Sequence, residues 1–412
     1  MTAPRPRLAG LAIAVGLVLA DSSIVVLALP EIYRELETSV AGVTWVLVSF
    51  NLVLALAAVP AAHLARRIGP GRAAAIGLAI FGGAGLACGR AAELSTLSAA
   101  RCVQALGGAI AVTAVLELLP ATVGSERRAV AVWAAAGATG AALGPAVGGL
   151  LTELVSWQSI FLIQAPIAVA VGVPVLAVAK HEAATGILAA EQRTGRPHLL
   201  ANLALAMVSA AIAAALFLLV LLLIEGWRLS PIGAAIVVSA MPLAALLGSR
   251  LGSAAGSERA RAAAGAILVA GGLGGLALLP EAEIVLTVPP QLLIGVGLAL
   301  VLSALTETAL AGRSPQAIHG GWTIAARHAG VAVGLILVTL RAKSSGLRRF
   351  YALGAVSIVL GLALSISKLP NGYSLGSFYG LMGLSFLLSG GLTLQRYLAE
   401  NPLPGDAEGR NG

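Results

Sequence analysis

The chain has 412 residues, of which 58% are hydrophobic and only 11% are charged. A soluble domain is about one quarter charged, and one soluble chain could not bury this much apolar surface. The net charge of +8 comes largely from arginines in short segments between apolar runs, which indicates membrane orientation rather than nucleic-acid binding. Composition therefore predicts an all-α protein that crosses a membrane many times.

Apolar runs recur along the whole chain, and a spanning helix needs about 20 mainly apolar residues. The first run follows a basic N-terminus, but it is too long for the apolar part of a signal peptide and contains Asp21, so we expect it to be a retained helix. We predict spans over 8–29, 42–63, 72–89, 95–119, 129–152, 158–179, 199–224, 231–250, 262–280, 284–309, 316–340, 350–367 and 373–395.

The stretch 180–198 is the only polar segment of any length between these spans, so it is the expected boundary between two halves. We divide the chain into a six-helix bundle over 1–180, a linker over 181–198, a second six-helix bundle over 199–368, an additional candidate span over 369–397 and a polar tail over 398–412.

Arginine and lysine are concentrated in alternate loops, which predicts that the N-terminus and the 181–198 linker lie in the cytoplasm. One segment, 341–349, is also basic and opposes this orientation. We expect a multi-pass protein of the bacterial plasma membrane.

Four segments of the first half carry polar or small residues in unusual patterns. The fifth span holds Gly140, Gly144 and Gly148 at every fourth position, so they share one helix face. Such a face allows either close static packing or sliding of one helix on another, and Pro145 can kink the helix. The four segments are LADSSIVVLALP from 19, RCVQALG from 101, GAALGPAVGG from 140 and WQSIFLIQAP from 157.

In this order the segments resemble motifs of the major facilitator superfamily, and in particular its fourteen-helix drug:proton antiporter branch. The glycine segment is similar to the antiporter motif, and the match covers the first six spans well and the second half weakly. The resemblance implies two six-helix bundles around a central cavity. It also implies proton-coupled export of hydrophobic or amphipathic small molecules by alternating access. Residues implied in conformational change are Gly140, Gly144, Pro145, Gly148, Gly149, Gly69 and Arg67.

Two features depart from the family pattern. The family loop after the second span reads Gly-x-Leu-Ala-Asp-Arg-x-Gly-Arg, whereas the stretch 62–70 reads AHLARRIGP, with Arg66 in place of the acid. That acid normally helps to lock the outward-facing form, so gating by this loop is left open. The 181–198 linker is also too short for the two helices that the branch inserts between its halves.

Asp21 and Arg101 are charged residues within predicted spans, where charges are costly and usually face a cavity or a partner. Each lies roughly 9 to 12 Å from the same end of its helix, at 1.5 Å per residue. We therefore predict an Asp21–Arg101 pair, with Gln104 on the same face of the fourth span. Two roles stay open for the pair, a fixed structural ion pair and proton coupling.

Several weaker candidates could line the substrate cavity, although packing and helix-end roles are also compatible with their positions. The cavity candidates are Gln104, Asn51, Gln164, Trp133, Glu307 and His328, with Arg327 beside the last.

The glycines of the fifth span give a separate prediction. We expect Gly144 and Gly148 to lie at a tight interface between the two halves.

Two other classes of protein are alternatives. A lipid-modifying membrane enzyme is disfavoured because the sequence shows no cluster with metal-ligand spacing and no nucleophile–base pair. A non-transporting scaffold or receptor remains compatible with the Arg66 substitution. We expect a monomer whose partners are a lipophilic small molecule, protons and the bilayer, with no cofactor, no metal and no nucleic acid.

Overall fold

The computed structural model describes residues 4–185, 195–252, 257–277, 283–313 and 315–341. This part of the chain is almost entirely helical and contains no β-strand. The helices are α1 (Pro4–Ile24), α2 (Leu29–Glu35), α3 (Val40–Ile68), α4 (Pro70–Cys88), α5 (Leu94–Val123), α6 (Glu126–Leu154), α7 (Trp157–Leu162), α8 (Gln164–Thr185), α9 (Leu199–Leu221), α10 (Pro231–Val238), α11 (Ala240–Gly252), α12 (Glu258–Ala277), α13 (Val288–Leu310) and α14 (Gln316–Arg341).

Every predicted span up to 316–340 coincides with a helical stretch. Nine stretches in the described residues are long and apolar enough to cross a membrane, while α12 contributes a shorter apolar part, Ala260–Leu273. The predicted spans 350–367 and 373–395, the 369–397 and 398–412 assignments and half of the 181–198 linker (186–194) lie outside the described residues.

Three of the predicted spans are broken helices, and each break precedes a proline. Proline has no N–H, and its ring collides with the carbonyl four residues earlier. The turn at Ile163 between α7 and α8 lies three residues before Pro166, and that at Ser239 between α10 and α11 lies three before Pro242. The 3-10 turn Val26–Ala28 between α1 and α2 likewise precedes Pro30. These breaks let the chain change direction inside a span.

Other prolines leave their helices continuous. Pro60, Pro120, Pro145 and Pro174 all lie inside unbroken helices. The fifth span, α6, therefore runs through Pro145 without the break that the sequence allowed.

Helices before and after the linker pack mostly with members of their own half. In the N-terminal half, defined here as residues 4–185, α1 packs on α6, and α4 packs on α5 and α8. In the C-terminal half, residues 199–341, α9 packs on α14, and α13 packs on α11 and α12. The seam between the halves is formed mainly by α3 with α14 and by α6 with α10 and α11.

The bundle has one end rich in arginine, called here the Arg-rich end. It includes the α3–α4, α5–α6 and α13–α14 connections, which carry Arg66, Arg127 and Arg313 among others. The other end, called the opposite end, carries the α6–α7 and α9–α10 connections. A long-range ion pair there joins Arg34 to Glu225 at 3.3 Å.

Candidate functional site: a buried polar ring

Four polar side chains form a closed hydrogen-bonded ring inside the N-terminal half. Arg101 Nη1 donates to Asp21 Oδ2 and, at 2.7 Å, to Gln104 Oε1. Gln104 Nε2 donates to Gln164 Oε1 at 2.6 Å, and Gln164 Nε2 closes the ring on Asp21 Oδ1 at 2.9 Å. None of the four residues is more than 2% exposed. The Asp21–Arg101 contact expected from the sequence is therefore present.

The chemistry of the ring fixes the direction of each hydrogen bond. A guanidinium only donates and a carboxylate only accepts. Gln104 must therefore turn its carbonyl oxygen to Arg101, which leaves its amide group to donate to Gln164. Gln164 in turn has only its amide group left for Asp21. Two donor paths thus run from Arg101 to Asp21, one direct and one through Gln104 and Gln164.

Helix geometry explains how four distant residues meet. Arg101 and Gln104 are three residues apart on α5 and so lie on one face. Asp21 lies in the last turn of α1, and Gln164 is the first residue of α8, directly after the break at Ile163. The break before Pro166 therefore positions Gln164 against Asp21.

Aromatic rings surround the Arg101 guanidinium. Its central carbon lies 4.0 Å from the ring centre of Phe50 and 5.4 Å from that of Phe161. Arg101 Nη2 is buried and has no hydrogen-bond partner among the described residues. A cation held over aromatic faces and away from water interacts strongly with the nearby carboxylate. Cys88 Sγ lies 3.6 Å from Gln104 Oε1, at the edge of the same ring.

A second polar cluster begins at the next residue of α1 and crosses the seam. Asn51 Oδ1 on α3 lies 2.7 Å from His328 Nδ1 on α14 and accepts from Ser22 Oγ at 3.3 Å. The amide nitrogen of Asn51 donates to the carbonyl of Leu47 at 2.8 Å. The oxygen of Asn51 is therefore left for His328, whose Nδ1 must carry the hydrogen in this arrangement. The two halves are thus joined by a hydrogen bond beside the ring.

The superfamily resemblance was tested by comparison with known proteins. The sequence profile described as Major Facilitator Superfamily matches residues 11–317 of the chain. The chain belongs to the Major Facilitator Superfamily. This is a family of membrane transporters, and the multi-pass membrane architecture expected from the sequence is confirmed.

Individual relatives within the superfamily are resistance and export proteins. The tetracenomycin C resistance and export protein of Streptomyces glaucescens is 32% identical over 169 residues, covering 40% of this chain and 31% of the relative. Methylenomycin A resistance proteins are 36% identical over 163 residues in Bacillus subtilis (38% of this chain, 35% of the relative) and over 252 residues in Streptomyces coelicolor (58% and 49%). The chain thus spans about a third to a half of the length of these relatives.

The glycine face of this superfamily member packs within one half. The expectation that Gly144 and Gly148 lie between the halves is wrong, because both contact α1. A Cβ added to either residue, or to Gly140, would overlap α1 at Ser23, Ile24 or Gly16. Gly149, on the next face, does meet the C-terminal half, since an added Cβ would lie 2.5 Å from the Cβ of Ala235. The three regularly spaced glycines thus allow α6 to approach α1 closely within the N-terminal half.

Two of the predicted cavity residues lie away from the ring. Trp133 is 1% exposed, and its indole N–H donates to the carbonyl of Val112 at 3.1 Å, so it belongs to the core of the N-terminal half. Glu307 lies in the last turn of α13 at the Arg-rich end, where its carboxylate is 3.1 Å from Arg127 Nη2 and 2.8 Å from Arg261 Nη2. Two arginines therefore balance the negative charge of Glu307, and its carboxylate lies at the end of the bundle rather than at a central cavity.

The substituted loop has an acid nearby that sequence reasoning did not select. Glu117, on α5, accepts the backbone N–H of Ala317 in the first turn of α14 at 3.1 Å. Its other oxygen lies 4.0 Å from Arg66 Nε. Arg67 is exposed, and Gly69 has a φ of +95°, a conformation that favours glycine. Since Glu117 and Ala317 are 200 residues apart, no local pattern could have paired them.

Proposed function

We propose that this protein is a proton-coupled antiporter that exports hydrophobic or amphipathic small molecules by alternating access. The observation that carries the proposal is the buried ring around Asp21, a titratable group in the middle of a membrane bundle. Intramembrane acids of this kind mark proton and substrate pathways. The names of the relatives support efflux of antibiotics or other lipophilic compounds.

Protonation of Asp21 changes the ring in a defined way. The carboxylate accepts from both Arg101 and Gln164. A proton added to Asp21 removes its charge and turns one accepting position into a donor. The ion pair with Arg101 is then lost, and the new O–H group needs an acceptor that neither Arg101 nor the donating amide of Gln164 supplies, which favours a movement of the carboxyl group or of Arg101. Proton binding is thereby converted into a rearrangement of α1 against α5 and α8.

The seam cluster links this rearrangement to the two halves. Ser22 follows Asp21 directly and donates to Asn51, which holds His328 of the C-terminal half. A movement of Asp21 therefore occurs beside the Asn51–His328 hydrogen bond, which must break when the halves separate. A proton taken up from outside and released inside then drives one cycle of opening and closing, with substrate carried outward.

The proposed setting follows the distribution of charge. The Arg-rich end and the N-terminus face the cytoplasm of a bacterial cell, in agreement with the positive-inside rule. The protein works as a monomer, with protons and lipophilic compounds as its partners.

Transport into inverted membrane vesicles with an imposed pH gradient tests this function over a panel of lipophilic compounds. Asp21→Asn should lose pH-driven accumulation and retain downhill exchange of the same compound. Glu37→Gln, which changes an exposed acid, is the matched control and should transport normally. If Asp21→Asn concentrates substrate as well as the unmodified protein does, Asp21 is only a structural partner of Arg101 and the proton carrier is elsewhere, with His328 and Glu307 next in line.

A further inference from the structure

Arg327 differs from Arg101, although both arginines lie within membrane spans predicted from the sequence. It is the twelfth residue of α14, about 16 Å along the helix at 1.5 Å per residue. Arg101 is fully buried and joined to Asp21 and Gln104. Arg327 is half-buried, and within the described part of the chain it makes no hydrogen bond and no ion pair. A membrane arginine normally pairs with an acid, a carbonyl or water in a cavity.

None of the acidic residues that the structure describes forms an ion pair with Arg327. Five carboxylates of the described helices are held by other groups: Asp21 by Arg101, Glu117 by the N–H of Ala317, Glu153 by the N–H of Ile232, Glu225 by Arg34, and Glu307 by Arg127 and Arg261. The sequence from 342 to 399 contains neither Asp nor Glu. Within the part of the chain that the structure describes, no neighbouring acidic side chain therefore neutralises the charge of Arg327.

The position of Arg327 on α14 places it at the seam. Residues seven apart differ by about 20° around a helix, so Gly320, Arg327 and Gly334 share one face. Gly320 lies against Leu116 of α5, and Gly334 lies against Ala210 of α9. Arg327 therefore lies on the face of α14 that is directed between the N-terminal and C-terminal halves. His328, the next residue, holds Asn51 across the same seam.

We propose that Arg327 is the anion-binding residue of the transport site, and that the protein exports amphipathic organic acids. This inference rests on the proposed transport function and names its substrate class. A carboxylate, phenolate or enolate would supply the missing negative charge and accept charge-assisted hydrogen bonds from the guanidinium. The apolar remainder of the compound would lie against the aliphatic helix walls. Neutral and cationic analogues would leave the charge of Arg327 unbalanced.

Binding of matched compounds to the purified protein tests this proposal. The probes are three pairs of an aromatic acid and its neutral amide: 2-naphthoate with 2-naphthamide, 9-anthracenecarboxylate with its carboxamide, and 1-pyrenebutyrate with 1-pyrenebutyramide. We expect the acid to bind roughly tenfold more tightly in at least one pair, because a charge-assisted contact contributes about that factor. Arg327→Gln should bring the ratio close to one while amide binding persists, and Arg327→Lys should retain part of the preference.

Arg90→Gln removes an exposed arginine at the opposite end and should leave the ratio unchanged. Equal affinity for acid and amide in the unmodified protein, binding of none of the six compounds, or a preserved ratio in Arg327→Gln would each overturn the proposal. The same pairs in the vesicle assay separate the two claims. Acid-selective binding without pH-driven movement contradicts the antiporter function alone, whereas pH-driven export without any acid preference contradicts the role of Arg327 alone.

Discussion

Substitution of Arg101 is expected to destabilise the protein more strongly than the loss of two hydrogen bonds alone would. Its Nη1 serves both Asp21 and Gln104, and Phe50 and Phe161 enclose its guanidinium. Removing one member of a buried ion pair leaves the other charge uncompensated, which typically costs about 3–5 kcal/mol. Removing both charges together costs less, because no charge is then stranded.

A double-mutant comparison therefore separates stranded charge from lost packing. Arg101→Gln should lower the thermal midpoint of the detergent-solubilised protein strongly. Asp21→Asn combined with Arg101→Gln should recover a large part of that loss. Midpoints measured for the two single variants and the double variant supply the comparison. Additive losses would mean that the two side chains do not depend on each other, contrary to the geometry of the ring.

At the scale of helices, α6 presents two glycine faces with different neighbours. Gly148 meets the backbone of α1 in its own half, whereas Gly149 meets α10 in the other half. A larger side chain at Gly148 should therefore disturb folding of the N-terminal half. A larger side chain at Gly149 should instead disturb the movement of the two halves relative to each other.

Neighbouring substitutions make this contrast measurable. Gly148→Leu should lower the thermal midpoint and the yield of folded protein, since overpacking costs about 1–3 kcal/mol. Gly149→Leu should lower the midpoint less than Gly148→Leu, because its overlap lies at the seam between the halves, and it should reduce transport in vesicles. Gly172→Leu, at a position where an added Cβ meets nothing, is the control for both measurements. A transport defect without a folding defect in Gly148→Leu would argue that α1 and α6 slide on each other.

Prolines show how far helix breaks could be predicted. The sequence places the spans well because apolar length is a strong signal. It does not separate Pro166, which breaks a span, from Pro145, which does not. Each proline lacks the backbone N–H that would donate to the carbonyl four residues earlier, so the local chemistry is the same at both positions. Whether the helix breaks must therefore depend on the surroundings of each proline. Similarly, depth along the helix was sufficient to pair Asp21 with Arg101. The spacing of the glycines defines one face of α6, but it does not identify the helix that packs against that face. The prediction for Gly144 and Gly148 therefore named the wrong interface.

Across the whole molecule, one of the contacts between the halves at the Arg-rich end uses an acid that the loop motif does not contain. Glu117 accepts the N–H of Ala317, at the positive end of the α14 dipole, and lies near Arg66. It thereby links α5 of one half to α14 of the other. We interpret this contact as the functional substitute for the acid replaced by Arg66.

Glu117→Gln should accordingly weaken closure at this end. Spin labels at Arg128 and Ala311, exposed residues on opposite sides of the seam, report the separation of the halves. The variant should shift the distance distribution toward longer separations, while Glu93→Gln, at an exposed acid of the opposite end, should not. An unchanged distribution in Glu117→Gln would mean that the halves are held at this end by other contacts.

The chemical character of the seam also varies along its length. Both ends are held by charged groups near water, through Glu307 with Arg127 at one end and Glu225 with Arg34 at the other, whereas the centre is held by Asn51 and His328. Dissolved ions screen exposed charges over about 8 to 10 Å at physiological ionic strength but barely reach a buried neutral hydrogen bond. Salt added to one side of the membrane would thus loosen only the end that faces it. For the proposed alternating-access cycle, this predicts that the resting balance between the two openings depends on the difference in ionic strength across the bilayer, even without substrate.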